Sequence, residues 1–163
     1  MIPVTITMDA SHALARFSEA GIPAAVRQNL RRVLPDLTKQ LGSLVDSKLD
    51  EGLRSRRRLQ TKMELVENPA TIYGRVSVVA TAEPRMLPRW LESGTRAHPI
   101  VAKNANALVF FRERLGRVVA FKSVWHPGYP GLFFMRDAFK EMETQILDGI
   151  EGAVRSGVRG ESA

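Results

Sequence analysis

Apolar residues recur along this chain with two different periods, and each change of period marks a new element. Val4, Ile6 and Met8 alternate with Thr5 and Thr7, which predicts a short half-buried strand. Leu14 and Phe17 fit a brief helical turn that Gly21 ends. Pro23 suits the first position of a helix. From there Val26, Leu30, Val33, Leu34, Leu37, Leu41, Leu44, Val45 and Leu49 follow at three- and four-residue steps. That spacing predicts a long amphipathic helix whose stripe faces a sheet. Pro35 cannot donate a hydrogen bond to the carbonyl of Arg31, so the helix is expected to kink or split there. Gly52 is the expected stop.

The period then falls to two. Leu59, Thr61, Met63 and Leu65 alternate with polar residues, Asn68-Pro69 signals a turn, and Ile72–Ala82 alternates again with Val76, Val78 and Ala80 on one face. The pair reads as an antiparallel hairpin, ended by Pro84 and Pro88. Leu87–Ser93 reads as a short helical turn holding Trp90 and Leu91 inward. Leu108–Phe111 and Val118–Val124 read as a second strand pair, with His98-Pro99-Ile100 in the turn before it. Phe134, Ala138, Met142, Ile146, Ile150 and Val154 then recur about every fourth residue, predicting a C-terminal helix; residues 157–163 read as a disordered tail. The expected fold class is α+β. It is an antiparallel sheet packed by a long, Pro35-kinked N-terminal helix and a C-terminal helix, in one domain over residues 1–163.

Composition narrows the functions. The 163 residues are enough for a real core. With no cysteine, disulfides and thiolate metal sites are excluded. No apolar run approaches the roughly 20 residues of a membrane span, and Met1–Met8 lacks the pattern of a secretory leader, so no membrane partner is expected. The net charge of +7 is unevenly spread. Arg54, Arg56, Arg57, Arg58 and Lys62 occur within nine residues without an acid, and residues 97–130 hold five cations against Glu113 alone. Such clusters favour polyanions, although a solvated surface explains any one of them equally well. Arg54, Arg56, Arg57, Arg58 and Lys62 are the candidate DNA contacts.

Catalytic vocabulary is sparse. His12, His98 and His126 have no second histidine or carboxylate at ligand spacing. Ser93-Gly94 is not part of a G-x-S-x-G elbow, and no Walker-type or dinucleotide glycine loop is present. Glu92 and His98 both sit beside turn formers and read as groups that orient backbone. No catalytic residue, cofactor or metal is expected. Gly94 and Gly128 mark places where the backbone needs positive φ or a close approach, while Pro99, Pro127 and Pro130 stiffen the turns around them. Trp125, His126, Tyr129 and Phe133 decorate the last of these rigid turns. A stiff turn bearing aromatics has little entropy left to lose on docking, which makes these four the candidate assembly interface. Phe134 begins the helical stripe and belongs to the core; Tyr129 is the expected outward anchor.

The ordered set Leu91-Glu92-Ser93-Gly94-Thr95, His98-Pro99-Ile100, Ala107–Phe111, His126-Pro127-Gly128 and Pro130–Phe134 resembles the tail-completion (head–tail joining, or neck) proteins of long-tailed bacteriophages. The match is strongest over about Trp90–Phe139. The resemblance implies a structural virion protein in the neck between capsid and tail, made in the cytoplasm of a host bacterium. It implies a homo-oligomeric ring, a hexamer among the stoichiometries allowed, around non-specifically held double-stranded DNA. Other neck and tail proteins would be its partners: a head-joining ring, and a tail terminator or tail tube. A tail terminator capping the tail tube is the related alternative, and a free-standing basic nucleic-acid-binding protein is the unrelated one. The dense arginine run before the first hairpin departs from the family pattern.

Overall fold

The computed structural model describes residues 4–9, 22–53, 58–68 and 71–160. Among these the order is β1 (Val4–Asp9), α1 (Ala24–Gly52), β2 (Leu59–Glu67), β3 (Ile72–Ala80), α2 (Leu87–Ser93), β4 (His98–Val101), β5 (Leu108–Arg112), a 3₁₀ turn (Glu113–Leu115), β6 (Arg117–Phe121), β7 (Ser123–His126) and α3 (Phe134–Arg159). The fold is α+β, with an N-terminal and a C-terminal helix packed on an antiparallel sheet. The expected turn at Leu14 and Phe17 lies outside the described residues.

β3 is the most buried of these strands and takes the centre of a three-stranded sheet in the order β1-β3-β2. Its register with β2 runs from Leu59 opposite Ala80 to Glu67 opposite Ile72, and β1 pairs its other edge from Val4 opposite Val78 to Asp9 opposite Tyr73. Opposed residues share a face, so Leu59, Thr61 and Met63 lie on the same side as Val76, Val78 and Ala80. That side meets α1, where Met63 packs against Gly42 and the Thr61 hydroxyl donates to Asp46 Oδ1.

The two long helices run antiparallel. Val26 lies beside Gly157, Leu37 beside Gly149, Gln145 Nε2 donates to Gln40 Oε1 at 2.6 Å, and Lys48 pairs with Glu141 at 3.0 Å. Leu30, Leu34, Leu41, Val45 and Leu49 of α1 are buried with Phe134, Met142 and Ile146 of α3 and with Ile72, Val76 and Val78 of β3. The α1 stripe is therefore shared between α3 and the sheet rather than facing the sheet alone.

Several expectations are corrected. α1 is not split at Pro35, whose ring is exposed; packing of the stripe on both sides holds the helix together despite the lost backbone bond. Next to the gap, buried Thr38 donates its hydroxyl to the Leu34 carbonyl at 2.6 Å. Residues 157–159 belong to α3 instead of a tail. Gly157 is buried where a Cβ would fall 2.5 Å from Val26 Cα, and Gly160 closes the helix in the left-handed region. Trp90 is exposed; of the pair, only Leu91 packs toward the core.

Ion pairs pin the start of α1 to the end of β2. Arg27 and Arg31 approach Glu67 at 3.0 and 2.9 Å. The hydrogen bond from Arg31, then that from Arg27, hold the Glu67 carboxyl below its ordinary range. A depressed carboxylate stabilises the fold above its unfolded-state pKa and loses that contribution as pH falls through the folded value. Glu67→Gln should therefore lower Tm at pH 7. In thermal melts the gap to wild type should begin to narrow below about pH 4, where the unfolded carboxyl titrates, and close as pH falls through the lower folded value.

Candidate assembly site: a glycine clasp and its hairpin arm

The second half of the chain builds something the periodicity did not show. Val118–Val124 is two strands, not one. β6 pairs with β5, from Leu108 opposite Phe121 to Arg112 opposite Arg117. β7 pairs instead with β4, from His98 opposite His126 to Val101 opposite Ser123. The His98-Pro99 turn is thus a strand. A two-stranded ladder leaves each strand one free edge, so Pro99 costs no essential hydrogen bond. Ala102 N donates to the Lys122 carbonyl at 3.3 Å between the two ladders, and residues 103–107 bulge from one side only. Together they form one long hairpin arm, closed at its tip by the 3₁₀ turn and Gly116 in the left-handed region.

The arm is rooted in a clasp made by the two glycine-bearing motifs. Thr95 and Tyr129 exchange backbone hydrogen bonds of 2.8 and 3.0 Å. Leu132 N donates to the Leu91 carbonyl at 2.7 Å, and Phe133 N to the Glu92 carbonyl at 3.1 Å. Gly94 (φ 74°) and Gly128 (φ 87°) take positive φ where strands touch backbone to backbone. A Cβ on Gly94 would fall on the Tyr129 carbonyl, and one on Gly128 would lie 2.5 Å from the Thr95 carbonyl oxygen. Glycine is required at both positions for two reasons at once, conformation and space.

Glu92 completes the clasp. Its carboxylate accepts from Met135 N at 2.9 Å and Arg136 N at 3.1 Å, two amides of the first turn of α3. The residue preceding that helix, Phe133, offers no side-chain cap and itself sits at φ 52°, a strained value for a bulky residue. A carboxylate from α2 therefore does the work of an N-cap and also complements the helix dipole. Glu92→Ala should cost about 0.5–2 kcal/mol in chemical denaturation, with Glu92→Gln recovering part of it. A loss indistinguishable from zero would mean that α3 begins without this carboxylate.

The four proposed interface residues come together at the arm's root. Trp125 on β7 lies opposite Pro99 and Tyr129 closes the clasp; they are 67% and 38% exposed. His126 is half-buried, its ring 5.1 Å from that of His98, and its Nδ1 accepts from Gly128 N at 3.1 Å. His98 Nδ1 donates to the Arg96 carbonyl at 2.8 Å. Both imidazoles are thus engaged with backbone, and Glu92 points to α3 rather than to His98. Phe133 carries the Arg136 guanidinium 3.9 Å over its ring. An open cleft of about 650 Å³ beside the clasp is lined by Arg89, Ser93, Arg96 and Tyr129 among others. Among the described residues no group of three histidines or carboxylates is placed to hold a metal, and no helix is long and apolar enough to cross a membrane.

Of the arginine run, Arg54, Arg56 and Arg57 lie outside the described residues. Arg58 and Lys62 are exposed, Arg58 NH1 donating to the Glu83 carbonyl at 3.4 Å. What sequence reasoning missed is the arm's exposure. Val109, Phe111 and Val118 share one face of it and are 67%, 60% and 62% exposed. A slender two-stranded ribbon thus holds apolar side chains in water that it cannot bury by itself. No protein-family model, curated protein or solved structure matches this chain.

Proposed function

We propose that this protein is a structural component of a bacteriophage neck, joining tails to filled capsids as a ring around the DNA channel. The observation that carries the reading is the clasp. The motifs behind the resemblance to tail-completion proteins, Leu91–Thr95 and His126–Phe134, are far apart in sequence, yet they interlock backbone to backbone. They serve there as the rigid root of an exposed apolar arm. A subunit that presents such an arm gains by assembling, because association removes that surface from water. The excess of positive charge suits a lumen that meets phosphate without reading sequence.

The decisive experiment removes the gene from a phage-producing strain. Filled capsids and finished tails should accumulate unjoined in the lysate, and supplying the protein in trans should restore joined particles under electron microscopy. Joined particles at wild-type levels without it would overturn the proposal. Tyr129→Ala refines the test: its backbone bonds to Thr95 survive the substitution, so the protein should fold normally yet join tails poorly.

A further inference from the structure

The arm carries two features that it does not satisfy by itself. One is the apolar face of Val109, Phe111 and Val118 described above. The other is charge. Lys103, Arg112, Arg114, Arg117 and Lys122 are exposed and make no ion pair among the described residues. Arg112 lies directly opposite Arg117 across the ladder, an arrangement that disfavours the isolated hairpin. The arm therefore asks for a partner that is both acidic and apolar.

The chain carries such a surface elsewhere. On the outer side of α3, Glu143, Leu147 and Glu151 follow at four-residue steps and lie on one face of the helix. Asp148 lies beside them. Leu147 is 55% exposed, and Glu143 and Asp148 are exposed without an ion-pair partner among the described residues. From Glu141 to Glu151 the helix holds four acids and no cation. Lys122 follows Val118 and Ala120 at two-residue steps just past the end of β6 and so continues the apolar face, whereas Arg112 and Arg117 alternate to the opposite one.

We infer that the arm of one copy docks on the outer face of α3 in a second copy, its apolar face over Leu147 and its cations on Glu143 and Asp148. The two surfaces differ, so the contact is head-to-tail, and repetition closes a ring or extends a filament. This gives a contact to the ring proposed above and rests on that part of the reading. DNA is the competing occupant for the cations, but phosphate offers nothing to three apolar side chains exposed on one face.

Charge reversal separates these outcomes. Sedimentation velocity of the full chain near 0.15 M salt would compare wild type with Glu143→Lys/Asp148→Lys, Arg114→Glu/Lys122→Glu and the two pairs combined. All four positions are exposed, and circular dichroism checks that each variant keeps its helices. Each pair alone should weaken self-association by about tenfold or more, and the combination should recover most of it. Val109→Ser/Val118→Ser should weaken association without altering its salt dependence. If the reversals weaken association and the combination fails to rescue it, the arm docks elsewhere and the inference fails while the ring reading stands. If the wild type assembles and neither reversal matters, the same holds. If the pair on the arm alters only binding to duplex DNA, the occupant is nucleic acid and the inference fails. A wild type that stays monomeric to millimolar concentration overturns both.

Discussion

Leu41→Ala should destabilise the protein by about 2–5 kcal/mol, the range for removing a buried leucine side chain from a core that cannot fully collapse. Leu41 is fully buried in the middle of α1, within the cluster formed by both helices and β3. Total stabilities of this class run from about 5 to 15 kcal/mol, so this one truncation removes a large share. In urea the midpoint should fall while the slope stays constant, because the surface exposed on unfolding hardly changes. Leu147→Ala is the matched control. It makes the same chemical change on the neighbouring long helix, but its side chain is largely exposed, and at a concentration too low for self-association the expected effect is within about 0.5 kcal/mol. A loss at Leu41 no larger than that at Leu147 would contradict the burial of the stripe.

Those two leucines show how far the sequence could be read. Leu30, Leu34, Leu41, Val45 and Leu49 announced themselves because a helix with one buried face must repeat its apolar residues every three or four positions. The β2–β3 hairpin was equally legible, since a strand with one buried face alternates. The same rule separates Leu147 from the buried Ile146 next to it, since only Ile146 lies on the four-residue steps from Phe134 to Ile150. The arm breaks it altogether. Leu108–Phe111 and Val118–Phe121 are apolar on both faces, the pattern of a strand buried on both sides. Exposure is decided by what the rest of the chain leaves uncovered, and that information is not local.

The clasp was half legible for the same reason. Gly94 and Gly128 stood out as positions needing unusual backbone geometry, and both have it. That they need it because the two segments touch each other was invisible, as was the cap on α3. Caps are ordinarily local, whereas Glu92 lies 43 residues before the Met135 amide it accepts from. Pro35 shows the converse: its lost hydrogen bond allowed the helix to split, and tertiary packing along the stripe keeps it in one piece.

Gly94→Ala should be about as damaging as a core truncation while removing no contact at all. Gly94 has φ 74° and ψ −176°, a region essentially reserved for glycine, and a side chain there costs of order 1–3 kcal/mol in strain alone. The new methyl group would also fall on the Tyr129 carbonyl and lie 2.6 Å from the Gly131 nitrogen. Both obstacles are backbone, so no rotamer change relieves them, and overpacking adds roughly 1–3 kcal/mol more. The expected total is about 2–6 kcal/mol. Gly116→Ala at the arm's tip separates the two contributions. Gly116 also has positive φ (59°), but a Cβ there meets nothing within 4 Å, so only the left-handed cost of about 1–2 kcal/mol applies. Hydrogen exchange should locate the damage. In Gly94→Ala the amides of Thr95, Tyr129 and Leu132 should lose protection first, while those in the middle of α1 stay protected until global unfolding. Equal losses at Gly94 and Gly116 would mean that the two motifs do not press together, and the arm would then have no rigid root from which to reach a neighbour.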